Sequence, residues 1–410
     1  MKKRLISLVA AAALVGGIAT VSAPVSAQAG TVAVKGDTQV QMYGFIRYIA
    51  GWTNKMETNT SEFLNMPYKD YSGQDDPSSN DTKFMSSTYQ TRLGLNFKNE
   101  DANLTGKIEA HFYDGSFGIR KAYIQHNFDN FYLRIGRDYG LELDGGSFST
   151  AFEAPVGMNG ASRNPQIKAG TSFDLGGAKL DAGLALEDVS YTNVSGVNNA
   201  SISRKVMPGV AAKLALSFET GFGAPARIYA YGMITPLKIK YLDTTGKYTE
   251  KSKTPVIFGT GLKLPVSMVT LNVNYVYGKG ATKFAGLNED TNNNIITPYS
   301  YYYDGSSLNT NRFDAFNIEA KIKPMPCVAV AGGYDYAKFK HSYGLTTAGN
   351  KDQKPYVSTY FANVAIQTTK YTQLTLEWRH VEDKYFQTDT NGDDVKVKGN
   401  QYFMRYTYSF

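Results

Sequence analysis

Residues 401–410 read QYFMRYTYSF, and their alternation decides the fold. Tyr402, Met404, Tyr406, Tyr408 and Phe410 fall on one face, with Phe403, Arg405, Thr407 and Ser409 on the other. Successive side chains of a β-strand point to opposite faces, so the segment is a strand with an aromatic side and a mostly polar side. Strands buried on both faces carry longer apolar runs. A strand held between hydrocarbon and water must alternate up to its end.

Working outward, the same period recurs. In 40–52, Met42, Ile46, Tyr48 and Trp52 oppose Gln41 and Arg47; in 85–97, Tyr89, Leu93, Leu95 and Phe97 oppose Ser86, Gln90, Arg92 and Asn96. In 104–112, Leu104, Ile108, Ala110 and Phe112 oppose Lys107, Glu109 and His111. Further alternating segments lie at 206–218, 268–277, 313–323 and 374–380. In the stretch 131–137 the face stays open, because Leu133, Ile135 and Arg137 alternate with Tyr132, Arg134 and Gly136. Both sets reach one side only through a bulge.

The connections alternate in length. Short turns rich in Asn, Asp, Gly and Pro lie near 98–103, 127–130, 174–178, 219–225, 264–267, 323–326 and 369–371. Longer loops lie near 53–84, 139–165, 189–204, 242–254, 279–311, 342–354 and 386–398, with a short one at 113–118. This predicts an all-β fold: a transmembrane antiparallel β-barrel of about 16 strands, with short periplasmic turns and long external loops. Backbone polar groups must all be paired in lipid, so the barrel must close, the strand at 40–52 against that at 400–410. A barrel of this size encloses water rather than filling itself with side chains.

Composition agrees. Of 410 residues 19% are charged, fewer than the roughly 25% of soluble domains. The 30 Tyr and 22 Phe supply interfacial girdles, and one Cys excludes a disulfide framework. Cys327, beside the turn at 324–326, is expected to fill apolar space. Lys2, Lys3 and Arg4, the apolar run 5–21 and small-residue patterns predict a signal peptide over 1–27, cleaved after Ala27 or Ala29. Its removal takes the net charge from +7 to +4, leaving no basic patch of nucleic-acid type, and the barrel domain spans 38–410. His111, His126, His341 and His380 lack metal-ligand spacing, so neither metal nor cofactor is expected. The Asp-rich first loop (Asp70, Asp75, Asp76, Asp81) and the segment 389–394 read as a solvated loop and a hairpin tip. His341-Ser342 is the only adjacent pair that a barrel hydrolase could use, and no enzyme is expected.

With these residues in hand, the chain resembles the trimeric outer-membrane porins, and within them the DcaP-like branch. The resemblance runs through Met42-Tyr43-Gly44-Phe45-Ile46-Arg47, Thr91-Arg92-Leu93-Gly94-Leu95, Gly106-Lys107-Ile108-Glu109, Ile119-Arg120-Lys121-Ala122-Tyr123, Leu133-Arg134-Ile135-Gly136-Arg137 and Asn164-Pro165-Gln166-Ile167-Lys168. It implies a passive channel for small hydrophilic solutes in a bacterial outer membrane, surrounded by lipid and lipopolysaccharide. It also implies a homotrimer, and Tyr408 and Phe410 as a signal to the barrel-assembly machinery. The third external loop, 139–165, would fold into the lumen as a constriction. Glu142, Asp144 and Glu153 of that loop would face Arg47, Arg92, Arg120, Lys121, Arg134 and Arg137 on the wall, with Glu109 beside them. The excess of cations leans the channel towards anions. A non-conducting barrel acting through its external loops, as an adhesin or structural protein, is the alternative.

Overall fold

A computed structural model describes residues 31–35, 37–54, 56–58, 63–67, 82–88, 91–113, 116–141, 147–149, 163–189, 201–243, 245–285, 300–303, 307–340, 354–388 and 394–410. The proposed signal peptide, the Asp-rich first loop, His341-Ser342 and the tip 389–393 lie outside them.

Sixteen antiparallel strands close into one barrel. They are β1 (Thr38–Asn54), β2 (Thr82–Ser87 continued by Thr91–Asn99), β3 (Leu104–Tyr113), β4 (Ser116–Asn127), β5 (Phe131–Tyr139), β6 (Arg163–Asp174), β7 (Ala178–Glu187) and β8 (Gly209–Glu219). Then follow β9 (Pro225–Ile234), β10 (Val256–Val266), β11 (Val269–Lys279), β12 (Arg312–Met325), β13 (Val328–Phe339), β14 (Tyr356–Gln367), β15 (Thr372–Thr388) and β16 (Asp394–Ser409). Each pairs with its sequence neighbour, and β1 pairs with β16 from Phe45↔Ser409 to Asn54↔Asn400, as closure in lipid demands. The terminal residue completes the seam. Phe410 N–H donates to Gly44 O at 3.1 Å, and Gly44 N–H returns a bond to Phe410 O at 3.3 Å. A Cβ on Gly44 would sit 2.8 Å from the Phe410 ring, so only glycine lets that ring dock.

The alternation becomes an inside and an outside. Ile46, Tyr48 and Trp52 project outward with 53%, 41% and 55% of their surface exposed, as do Tyr402, Met404, Tyr406 and Tyr408. Their neighbours Arg47, Ile49, Phe403, Arg405 and Thr407 turn inward. Two irregularities shift the phase. Across the two segments of β2 the phase changes: Ser86 lies opposite Ala50 on the outside while Arg92 lies opposite the inward Phe45, so Ser86 does not share the polar face expected for it. In β4 the register with β3 slips between Glu109↔Lys121 and Ala110↔Ile119, leaving Arg120 as the extra residue.

The loop expected at 242–254 starts earlier. Pro236 supplies no N–H to the barrel ladder, and after Ile234 the chain leaves it. Leu237–Leu242 and Tyr248–Lys253 then form a hairpin, joined by Ser201–Lys205 into an external three-stranded sheet. Its Leu237, Ile239 and Tyr241 bury against Tyr301 and Leu308. Inside the barrel, Ala281 and Phe284 of the loop after β11 pack with Tyr231, Met233, Ile257, Val276, Phe313 and Phe339. One half of the lumen is therefore filled towards its outer end. Cys327 is exposed in the turn between β12 and β13, too tight to enclose a side chain, and fills no apolar space.

Asp243 closes the external hairpin by accepting from Thr245 Oγ1 (2.6 Å), Thr245 N (2.9 Å), Lys247 N (3.0 Å) and Thr249 Oγ1 (3.1 Å). These donors, the Thr245 hydroxyl first, favour the carboxylate and hold its pKa down at about 2. A depressed carboxyl pKa adds stability above its ordinary value near 4, and that stability is lost as pH falls through the folded value. The Asp243 carboxyl carbon should accordingly titrate by NMR with a midpoint at about 2; a midpoint near 4 would mean that the turn does not hold in solution.

Candidate pore constriction

The inward faces of β1–β6 and β16 carry a dense set of cations. Arg47 and Arg92 lie 4.5 Å and 5.2 Å from the Phe45 ring centre, and Lys107 lies 4.4 Å from that of Tyr43. Because Arg120 is the bulged residue, consecutive Arg120 and Lys121 both turn inward, which strict alternation forbids. Gly136 on β5 supports this irregular ladder. Its φ of +131° suits glycine, and a Cβ there would lie 2.2 Å from Ala122 O.

Two carboxylates and several neutral groups hold these cations in place. Arg120 Nε donates to Glu109 Oε1 at 3.1 Å, and its Nη2 donates to Tyr139 OH at 3.0 Å. Tyr43 OH donates to the other Glu109 oxygen at 2.7 Å. Arg163 Nη1 also reaches Tyr139 OH, at 3.2 Å, and Lys168 Nζ donates to Tyr139 O at 2.7 Å. Asp138 pairs with Arg134, and with Lys121 at 3.5 Å; Arg134 Nε donates to Gln125 Oε1 at 2.9 Å. Glu109 and Asp138 thus face Arg47, Arg92, Lys107, Arg120, Lys121, Arg134, Arg163 and Lys168, a strong positive excess.

The third loop crosses to the opposite wall. At its root, Leu141 N–H donates to Glu187 Oε1 of β7 at 3.0 Å. Its residues 147–149 lie against β12–β15, halfway round the barrel. Phe148 N–H donates to Glu319 Oε2 at 2.8 Å, and Ser147 Oγ bonds the same carboxylate. Ser149 Oγ donates to Glu377 Oε1 at 2.6 Å, Arg379 Nη2 donates to Ser149 Oγ at 3.0 Å, and Asn363 Nδ2 donates to Phe148 O at 2.8 Å. The Phe148 ring, 2% exposed, packs with Ala331 and Phe361 under the Lys321 ammonium. Residues 147–149 of the loop are therefore pinned inside the lumen, against the far wall, by two carboxyl groups and one aromatic anchor.

No protein-family model and no curated protein matches the chain. Solved structures do. The outer membrane channel DcaP of Acinetobacter baumannii superposes with a TM-score of 0.66 at 20% identity, covering 92% of this chain and 99% of that one. The anion-selective porin from Comamonas acidovorans gives 0.54 at 13% identity, covering 91% and 100%. OmpT, an outer membrane protein of Vibrio cholerae, gives 0.54 at 12% identity, covering 93% and 100%. The chain has the porin fold.

Within that fold, Arg47, Arg92, Glu109, Arg120, Lys121 and Arg134 come together on one stretch of inner wall. Arg137 does not. It falls on the outer face with Phe131, Leu133 and Ile135, because β5 keeps strict alternation and the needed bulge lies in β4. Glu142, Asp144 and Glu153 lie outside the described residues. The acids seen around the loop belong instead to the far wall: Glu319, Asp335 and Glu377, all at most 4% exposed. Glu319 and Glu377 stand out in the sequence only as inward polar positions. Nothing local marks them as partners of a loop about 170 or more residues away.

Glu319→Gln together with Glu377→Gln exchanges one acceptor oxygen of each carboxyl for an amide donor, weakening each tether by about 1 kcal/mol. Single-channel recordings should then show a larger and noisier conductance. Unchanged traces would place the hold on Phe148 packing and the Asn363 and Arg379 bonds.

Proposed function

We propose that the chain is an outer-membrane porin: a water-filled channel through which small hydrophilic solutes diffuse passively, with a preference for anions. The observation that carries this reading is the third loop pinned across the lumen opposite a wall rich in arginine. Such a loop narrows an otherwise wide barrel without plugging it, and the field between unequal walls orients solutes as they pass. The anion-selective porin from Comamonas acidovorans shares the fold, in keeping with the same sign of preference. Trimer formation, surrounding lipid and lipopolysaccharide, insertion by the barrel-assembly machinery and cleavage of the leader at 1–27 belong to the same reading. Glu142, Asp144 and Glu153 remain candidates for the loop side of the constriction.

Planar-bilayer conductance in a salt gradient tests the proposal. Stable channels with an anion-selective reversal potential are expected; closed trimers would favour an adhesive or structural barrel. Arg92→Gln with Arg134→Gln should shift the reversal potential towards cations, since Asp138 then keeps only Lys121 as an ion-pair partner. An unmoved potential would place these side chains off the conducting path. Deleting Phe410 removes both seam bonds to Gly44 and should cut trimer yield severalfold, scored by heat-modifiable gel migration. Normal yield would deny Phe410 a role in assembly.

A further inference from the structure

On β11–β16 the outer face changes character towards the loop end. Outward Phe316, Tyr334, Tyr336 and Tyr360 form an aromatic cluster, with Tyr334 and Tyr360 ring centres 4.7 Å apart and Phe316 and Tyr336 centres 5.5 Å apart. One outward position further along the strands, about 7 Å, the side chains become charged. Lys338 stands opposite Asp314 on one side and Tyr356 on the other, and Tyr356 stands opposite Lys384. One position further again, Arg312 stands opposite Lys279, and Lys340 N–H donates to Arg312 O at 2.9 Å. Lys398 stands opposite Glu382.

Among the described residues, six cations therefore share this band with two carboxylates, Asp314 and Glu382. Both carboxylates are engaged: Asp314 accepts from Tyr275 OH at 2.7 Å, and Glu382 accepts from Tyr356 OH at 2.6 Å and pairs with Lys398 at 2.8 Å. Arg312 and Lys279 are like charges directly opposite each other on neighbouring strands, an arrangement that is unfavourable without a bridging anion. The rest of the circumference differs. The loop ends of β2, β4, β6, β7, β9 and β10 present Phe84, Phe117, Ile167, Leu186, Ile234 and Phe258 outward, and Arg137 on β5 is isolated among apolar neighbours.

We propose that this band is a docking surface for the phosphates of an acidic, acylated glycolipid in the outer leaflet. It rests on the outer-membrane reading above, which sets the loop end outside. The band lies just beyond the aromatic girdle, at headgroup depth, and projects sideways into the leaflet rather than up into water. Tyrosine rings offer a flat surface to acyl chains while the cations above them meet phosphates at the same radial position. A second copy of the chain is the poorer occupant, because among the described loop-end residues of the apolar flank Asp188 is a single exposed carboxylate against six cations. The band thus marks the lipid-facing flank of the barrel, and the apolar flank is left for copies of itself.

The test is retention, by native mass spectrometry of detergent-purified protein, of bis-phosphorylated lipid A against the same lipid A stripped of phosphate. Each cation near an anionic surface contributes roughly fivefold, so preference for the phosphorylated form should exceed about tenfold. Arg312→Gln, Lys338→Gln, Lys340→Gln and Lys384→Gln combined should abolish that preference, Arg in place of the three lysines should keep it, and Arg137→Gln should leave it unchanged. Equal retention of both lipids by the unaltered protein, or stronger retention of phosphatidylglycerol, would overturn the proposal without any variant being needed. Loss of trimers in the combined variant would reassign the band to a subunit contact. Conductance of the same preparations is expected to stay constant, so failure here is distinguishable from failure of the channel reading.

Discussion

Hydrocarbon offers no hydrogen bonds, and the rest of the structure follows from that single constraint. A sheet with free edges cannot exist in a bilayer, so β1 must find β16, and the carboxyl-terminal Phe410 must bond Gly44 where regular pairing ends. Once the ring is closed, period two has only one meaning: each strand has a lipid side and a lumen side. Residues such as Ile46 and Tyr406 reach hydrocarbon or its interface, whereas Arg47 and Arg405 are forced inward among one another. The crowding of arginines on the early strands is thus a product of closure as much as of composition.

The loop across the lumen solves a second pairing problem. A chain segment leaving the sheet brings N–H groups and hydroxyls that have lost their ladder partners. Glu319 and Glu377 meet them as side-chain acceptors at low exposure, where an unpaired polar group would be costly. Arg379 and Asn363 complete the set, so a carboxylate, a guanidinium and an amide all converge on three consecutive loop residues. Phe148 adds the apolar contact that fixes depth. Contacts with side chains from β12, β13, β14 and β15 make residues 147–149 part of the wall.

Much of this was legible in the sequence because its physics is local. Alternation at 402–410, 313–323 and 374–380 determines which residues face inward, and the short connections match the observed turns closely. Features that depend on an extra residue were not legible. The bulge that turns Arg120 and Lys121 inward together and the phase change that leaves Ser86 outward and Arg92 inward preserve the same residue types in the same order, and placing the bulge in β4 is what leaves Arg137 outside. Partnerships over long sequence distance were equally hidden. Glu319 reads as one more polar position, and only the closed barrel brings it to Phe148. The external sheet escaped notice because its strands lie within loops, where alternation at Leu237, Ile239 and Tyr241 looks like a continuation of the barrel.

The two halves of the inner wall also differ in their freedom to change. Asn317, Asp335, Thr359, Arg379 and Gln401 are shut off from water, while Arg47, Arg92, Lys107, Lys121 and Arg134 keep part of their surface open. A substitution among the second group therefore leaves the moorings of residues 147–149 intact. The cations of β1–β6 and the moorings of residues 147–149 reside on different strands of one ring. A barrel built this way can change its cationic wall one residue at a time, without first having to survive the loss of those moorings.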